Sequence, residues 1–166
     1  MSSPEHKELI WNLIKDIKVG MLVTHESDKS DSMRARPMYL VQDAYDGTLF
    51  FYTPKNDEKI YEIEQDRDVC MTFGSPEHST YVSLTGKARL SEDKDLIDRY
   101  WNPTVEAWFE GGRNNPNIAM LKVKVSRGEH WDSTENKLIQ VFEKAKANVV
   151  ESETPNVGEN EKFGTK

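Results

Sequence analysis

The sequence predicts an α+β fold in which short antiparallel strands form a barrel with a few inserted helices. Two observations lead to this prediction. An amphipathic helical pattern at the N-terminus is followed by at least six short segments rich in β-branched and aromatic residues. Helical patterns interrupt these segments without the regular strand–helix alternation of a doubly wound sheet, which favours a barrel.

The N-terminal helix is predicted over residues 4–17. Its apolar side chains recur on one helical face, at Leu9, Ile10, Leu13, Ile14 and Ile17. Pro4 stands at a first-turn position, and Ser2 with Glu5 fits a capping box. These signals fix where the helix begins.

Six strands are predicted after this helix: 19–25, 33–42, 48–53, 69–73, 80–90 and 118–125. The Asp46-Gly47 pair lies between the second and third strands and is a hairpin signal, because glycine adopts positive φ without a Cβ clash. We therefore expect the second and third strands to be antiparallel neighbours.

Helices are predicted over residues 55–65, 91–100 and 102–110, and Gly111-Gly112 ends the last one. An amphipathic stretch over 137–147 then precedes a polar end of the chain. We therefore predict one domain over residues 1–148. Residues 149–166 are expected to form a mobile polar C-terminal tail outside the site, with Val157 and Phe163 as its large apolar residues.

Composition limits the classes of function. The chain has 166 residues and a formal net charge of -7, and the acidic balance opposes binding to nucleic acid, whose phosphates attract Lys and Arg. The start of the sequence resembles no signal peptide, and no apolar run is long enough to span a membrane. We expect a cytoplasmic protein without a membrane partner. Cys70 stands alone and is expected to be a buried, inert thiol.

The predicted core is small for the length of the chain. Hydrophobic residues make up 36% of the sequence, and the mean hydropathy is -0.75. Such a core is often completed by a partner subunit or by a bound cofactor, either of which stabilises the folded state. The composition therefore favours both a partner subunit and a bound cofactor.

Two basic positions could bind an anion. Arg34 and Arg36 are two residues apart in a strand and should share a face, where guanidinium groups suit a phosphate. The alternative is a pair of solvated arginines on an edge strand. The segment 54–59 enters a helix, whose N-terminus also attracts anions. Here the alternative is that Asp57 and Glu58 cap the helix themselves.

Other chemistry has less support. The four histidines show no metal-ligand spacing, and no nucleophile elbow is present, so we expect neither a metal site nor a hydrolase. The tryptophans at 11, 101, 108 and 131 suit flat ligands or interfaces, but core packing is the alternative for each.

Several motifs in ordered succession resemble the general stress protein 26 family, within the FMN-binding split-barrel superfamily of the pyridoxamine 5'-phosphate oxidases. The resemblance covers about residues 5–145. It rests on Arg36-Pro37-Met38, Asp46-Gly47, Phe51-Tyr52-Thr53 with Lys59, Tyr81-Val82-Ser83-Leu84-Thr85-Gly86-Lys87-Ala88, Trp101-Asn102-Pro103, Ala107-Trp108-Phe109-Glu110-Gly111-Gly112, Asn115-Pro116, Met120-Leu121-Lys122-Val123 and His130-Trp131-Asp132-Ser133.

This resemblance implies a six-stranded antiparallel split β-barrel that forms a homodimer with two FMN sites between the subunits. The cofactor-binding residues that it implies are Arg36, Pro37 and Met38 near the ring and phosphate, Tyr52 and Thr53 along the flavin chain, Lys59 at the phosphate, and Trp131 against the flavin. FAD is a possible alternative cofactor. No catalytic side chain is implied.

Two departures from the family pattern matter for function. Asp57 and Glu58 stand where the oxidases carry serine and arginine, which should weaken phosphate binding by like-charge repulsion. The segment after Trp131 lacks the Arg-x-His-Asp-Arg stretch that holds pyridoxamine phosphate, so that oxidase activity is not expected. Three hypotheses follow: a flavin-dependent oxidoreductase that acts in the stress response, a flavin-binding or flavin-sensing stress protein without turnover, or a purely structural dimer whose pocket is vestigial.

Overall fold

The structure is a computed structural model that describes residues 3–26, 32–132 and 159–164. Its helices are α1 (Pro4–Ile14), α2 (Glu58–Gln65), α3 (Lys94–Tyr100) and α4 (Pro103–Glu106), with a short 3-10 helix at Gly112–Asn114. Its strands are β1 (Val19–His25), β2 (Met33–Tyr39), β3 (Thr48–Pro54), β4 (Asp68–Ser75), β5 (Thr80–Ser91), β6 (Ile118–Asp132) and β7 (Glu159–Gly164). The predicted α+β class is confirmed.

The strands form one antiparallel sheet in the order β2-β1-β4-β5-β6-β3, and β7 pairs with β6 in addition. The long β6 accepts β3 along residues 118–124 and β7 along residues 127–132. Within the described residues β2 and β3 end the strand order without a ladder between them, so the sheet is not closed. The predicted split barrel is confirmed, with seven strands rather than six.

The predicted hairpin between the second and third strands is wrong. Gly47 makes a turn with φ of 120°, but β2 pairs with β1, and β3 pairs with β6. The side-chain amide of Gln42 lies where a neighbouring strand would pair with β3. It donates to the Thr48 carbonyl oxygen at 2.9 Å and accepts from the Phe50 N–H at 2.8 Å. These two backbone groups at the start of β3 are therefore satisfied without a strand partner.

Two apolar clusters hold the fold together. In the first, α1 covers the sheet with Ile10 and Ile14, which are fully buried, after a start capped by Ser3 rather than Ser2. The second cluster packs α3 and α4 against β3 and β6, and its buried members are Tyr52, Leu96, Ile97, Val105, Phe109, Ile118 and Met120. The first cluster anchors β1 and β2, and the second anchors the end of β3.

The end of the chain differs from the predicted tail. Residues 159–164 form β7, and Phe163 is 5% exposed within the first apolar cluster. A Cβ on Gly128 would lie 2.5 Å from the Phe163 ring, so this glycine leaves the space that the ring fills. This polar strand therefore pairs with β6 through its backbone and places Phe163 in the apolar cluster. The stretch 137–147 and the boundary at 148 lie outside the described residues.

Candidate functional site

Arg34 and Arg36 share a face of β2, as their spacing predicts, and both meet the buried carboxylate of Glu62 on α2. Arg36 Nη2 donates to Glu62 Oε2 at 2.6 Å, and Arg34 Nη1 lies 3.6 Å from Glu62 Oε1. Thr24 on β1 completes a triangle: its hydroxyl accepts from Arg36 Nη1 at 3.0 Å and donates to Glu62 Oε2 at 2.6 Å. This network fixes the Arg36 guanidinium between the sheet and α2.

Lys59 lies in the first turn of α2 and is only 6% exposed. Asp57 caps this helix, because its carboxylate accepts from the Lys59 N–H at 3.0 Å, and the same oxygen lies 2.9 Å from Lys59 Nζ. Burial raises the pKa of Asp57, but the hydrogen bonds from Lys59 and the charges of Lys59 and Arg36 outweigh it and hold that pKa below its ordinary value. Lys59 therefore pairs directly with Asp57, and the charge of Arg36 also acts on this carboxylate.

The end of β3 adjoins this turn. Thr53 is 1% exposed, and its hydroxyl donates to the Pro54 carbonyl at 3.2 Å. The strand ends at Pro54, and α2 begins four residues later, at Glu58. The chain therefore carries Thr53 directly into the turn that presents Lys59.

The cations at this site face an equal number of carboxylates. Besides the Arg36–Glu62 and Lys59–Asp57 pairs, Arg34 Nη1 lies 2.5 Å from Glu58 Oε2. The three cations are therefore paired with three carboxylates at or within the first two turns of α2. A phosphate at this site would meet cations that already have partners.

Tyr52 is buried rather than open to a cleft. Its hydroxyl donates to the Ile97 carbonyl, its ring packs edge-to-face on Trp101 at 5.7 Å, and burial raises the pKa of the phenol above its ordinary value. The contact between Tyr52 and a flavin stays a prediction. Within this chain the side chain anchors β3 to α3.

The remaining predicted residues lie in three different places. Met38 is 7% exposed in the first apolar cluster, whereas Pro37 is exposed on the opposite face of β2. Trp131 is 36% exposed near the end of β6, and β1, β4 and β5 lie between β6 and β2 in the sheet. Arg36 and Lys59 both pair with carboxylates of the α2 segment, whereas Trp131 lies four strands from β2 within one chain.

Pro37 and Trp131 nevertheless share one face of the sheet. Residues directly opposite in antiparallel strands point the same way, and the register runs from Pro37 through Met21, Thr72 and Ser83 to Glu129, two residues before Trp131. We call this face the outer face. Its apolar members are Val19, Met21, Val23, Met33, Ala35, Pro37, Tyr39, Cys70, Tyr81 and Trp131. Val19 is 47% exposed and Met33 58%.

Sequence reasoning missed Glu62 and Thr24, although a signal for Glu62 was present. Lys59, Ile60, Glu62 and Ile63 are the buried residues of α2 and follow the spacing of a single helical face. An acid on such a face needs a cation, and two arginines on one strand face need an anion. Thr24 carries no comparable signal, because alternating polar residues are common in strands.

Among the described residues, no helix is long and apolar enough to span a membrane. The same residues contain no group of three or more His, Cys, Asp or Glu side chains placed to hold a metal ion.

A family model described as pyridoxamine 5'-phosphate oxidase like matches residues 5–156. The chain belongs to the pyridoxamine 5'-phosphate oxidase-like family. Among curated relatives of this family member, general stress protein 26 of Bacillus subtilis is 29% identical over 131 residues, which cover 75% of this chain and 86% of that protein. The resemblance to general stress protein 26 is confirmed.

Solved structures of the family show the same fold. A general stress FMN/FAD binding protein of Xanthomonas citri has a TM-score of 0.69 and 30% identity, with coverage of 80% of this chain and 92% of that one. A protein assigned as general stress protein 26, from Jannaschia sp. CCS1, has a TM-score of 0.70 and 25% identity, with coverage of 97% and 98%. Flavin binding is general in the pyridoxamine 5'-phosphate oxidase-like family, and both structures support the split-barrel assignment.

Proposed function

We propose that this protein binds FMN and acts as a flavin-dependent oxidoreductase in the stress response, with FAD as the alternative cofactor. The observation that carries the proposal is that two cations are held at the start of α2: Lys59 pairs with Asp57, which caps the helix, and Arg36 pairs with Glu62 further along the same helix. A guanidinium, an ammonium and a helix N-terminus are groups that suit a phosphate. The family and a relative named for FMN/FAD binding support the same cofactor.

The donor set fits a flavin phosphate, although three carboxylates compete with it. Arg36 and Lys59 would hold the phosphate, and Thr53 lies at the end of β3, directly before the turn that leads to Lys59. When bound, the flavin would supply hydride or electron transfer, while the protein binds, orients and shields it. No side chain of this protein acts as an acid or a base in the proposed reaction.

A homodimer completes the proposal. The outer face exposes apolar side chains in β1 and β2 together with Trp131 in β6, and an apolar area of this kind is typical of an interface. A second copy seated on this face would bury Val19, Met21 and Met33. It would also let Trp131 of one protomer approach β2 of the other, which one chain alone does not allow.

A flavin spectrum of the purified protein tests the cofactor. We expect absorbance bands of bound flavin that survive gel filtration and, after heat release, FMN in the supernatant. Protein that neither retains flavin during purification nor binds added FMN or FAD would contradict the proposal.

A flavin-binding or flavin-sensing stress protein without turnover is the second candidate. The Xanthomonas citri relative, which is named for binding, supports it. Anaerobic mixing with NADH or NADPH distinguishes the two candidates. Bleaching of the bound flavin at a rate well above that of free FMN supports the oxidoreductase, and flavin that stays oxidised with both donors supports the binding protein.

A further inference from the structure

The three carboxylates paired with the cations of the proposed phosphate site differ in burial. The Glu58 side chain is 68% exposed and that of Asp57 is 36% exposed, whereas the Glu62 side chain is only 2% exposed. Water and salt screen the first two charges, but they hardly reach the third. Glu62 is therefore the carboxylate with the greatest electrostatic influence on this site.

Glu62 also occupies the part of Arg36 that a phosphate normally uses. An arginine binds phosphate most strongly through two parallel N–H groups. In this structure Arg36 Nη2 donates to Glu62, and Nη1 donates to Thr24, which itself donates to Glu62. Both terminal nitrogens of Arg36 are thus already used within the chain. A phosphate must take the remaining N–H groups or compete with the carboxylate.

We propose that Glu62 is a specificity-determining residue, a built-in counter-anion of Arg36 that limits how strongly the site prefers a phosphorylated flavin over riboflavin. The inference rests on the proposed function, in which Arg36 faces the flavin phosphate. If Glu62 only oriented Arg36, substitution of Glu62 would weaken phosphate binding, because Arg36 would lose the partner that holds it in place. The direction in which FMN affinity changes when Glu62 is substituted therefore decides between the two roles.

The substitution is Glu62→Gln, which keeps the shape and an acceptor oxygen for Arg36 but removes the negative charge. We expect the dissociation constant for FMN to fall about tenfold, the size of effect that one unit charge exerts over several ångströms in a partly buried site. The constant for riboflavin should stay within about twofold, because riboflavin has no phosphate. The gain should persist in high salt, since Glu62 is buried.

Glu64→Gln is the matched control. It removes the same charge from the same helix, but Glu64 is exposed and lies two residues further along α2. Flavin fluorescence titrations of the wild-type protein and both variants with FMN and riboflavin give the six dissociation constants needed. We expect Glu64→Gln to match the wild-type protein for both ligands. FMN affinity that is unchanged or weaker in Glu62→Gln, or riboflavin affinity that rises equally, overturns the inference.

Glu62→Asp keeps the charge in case the amide variant does not fold. The shorter side chain withdraws the carboxylate from Arg36, so we expect a smaller gain in FMN affinity in the same direction, and no gain overturns the inference. Wild-type protein that binds no flavin refutes the proposed function as well. Only the role of Glu62 is refuted under three conditions together. The wild-type protein binds FMN, Arg36→Ala weakens the binding of FMN but not of riboflavin, and Glu62→Gln does not increase FMN affinity.

Discussion

Lys59 Nζ lies 2.9 Å from Asp57 Oδ1, and the same oxygen accepts a 3.0 Å hydrogen bond from the Lys59 backbone N–H. One carboxylate oxygen therefore both caps α2 and neutralises the lysine in its first turn. The sequence allowed two interpretations of this segment, an anion site or a helix capped by its own acid, and both involve the ammonium and the backbone N–H of Lys59. A ligand phosphate would have to compete with Asp57 for these two groups.

The proposed phosphate contacts can be tested by removing either cation. We expect Arg36→Ala and Lys59→Ala each to weaken FMN binding by about one to two orders of magnitude, because a charge-assisted contact contributes roughly 1.5–3 kcal/mol. Riboflavin binding should change little. Fluorescence titrations measure both ligands, and Lys87→Ala, at a lysine 67% exposed and paired with Asp68, is the control. Equal weakening of FMN and riboflavin would show that these cations serve the ring or the fold.

The acids at the start of α2 should limit FMN affinity. We expect the double change Asp57→Ser with Glu58→Arg to tighten FMN binding, while the serine keeps a side-chain cap for the helix. The gain in FMN affinity that comes from replacing Glu58, whose side chain is 68% exposed, should shrink as salt rises. The gain that comes from replacing Asp57 should persist, because Asp57 contacts Lys59 directly. Titrations at low and high salt separate the two parts. Unchanged affinity at both salt concentrations would mean that neither acid competes with the phosphate.

The outer face should be a dimer interface. We expect light scattering to give twice the chain mass of 19.2 kDa for the wild-type protein at micromolar concentration. Met21→Glu should shift the protein towards monomer, because it buries a charge in the middle of the apolar face. Tyr61→Glu, on α2 at a residue 56% exposed, should leave the dimer intact. A monomeric wild-type protein that retains flavin would refute a site shared between subunits.

The C-terminal strand should contribute to stability. Phe163→Ala removes a buried ring and should destabilise the fold by about 3–5 kcal/mol, the usual range for this change in a core. Lys162→Ala, at a side chain 76% exposed, should change stability by less than about 0.5 kcal/mol. Chemical denaturation followed by tryptophan fluorescence gives both values. If Phe163→Ala has as little effect as Lys162→Ala, β7 does not anchor the chain in solution.

Local sequence patterns predicted most elements of the fold. Strand Val19–His25 has the predicted bounds, because its alternation of buried and exposed residues is regular. The pairing of β3 could not be predicted, since a hairpin depends on whether the strand edges are free, and here the side chain of Gln42 binds two backbone groups at the start of that edge. The docking of β7 was missed because its polar composition hides one apolar contact, from Phe163 to the space at Gly128.

The sequence by itself determined the family, the strand-rich class and the shared face of Arg34 and Arg36, because these depend on residue types and spacings along the chain. Only the tertiary structure showed that Glu62 pairs with both arginines and that Asp57 pairs with Lys59. It also placed Trp131 four strands from Arg36. The physical reason is that charge pairing and burial depend on distances between segments far apart in sequence, and local patterns contain no such distances.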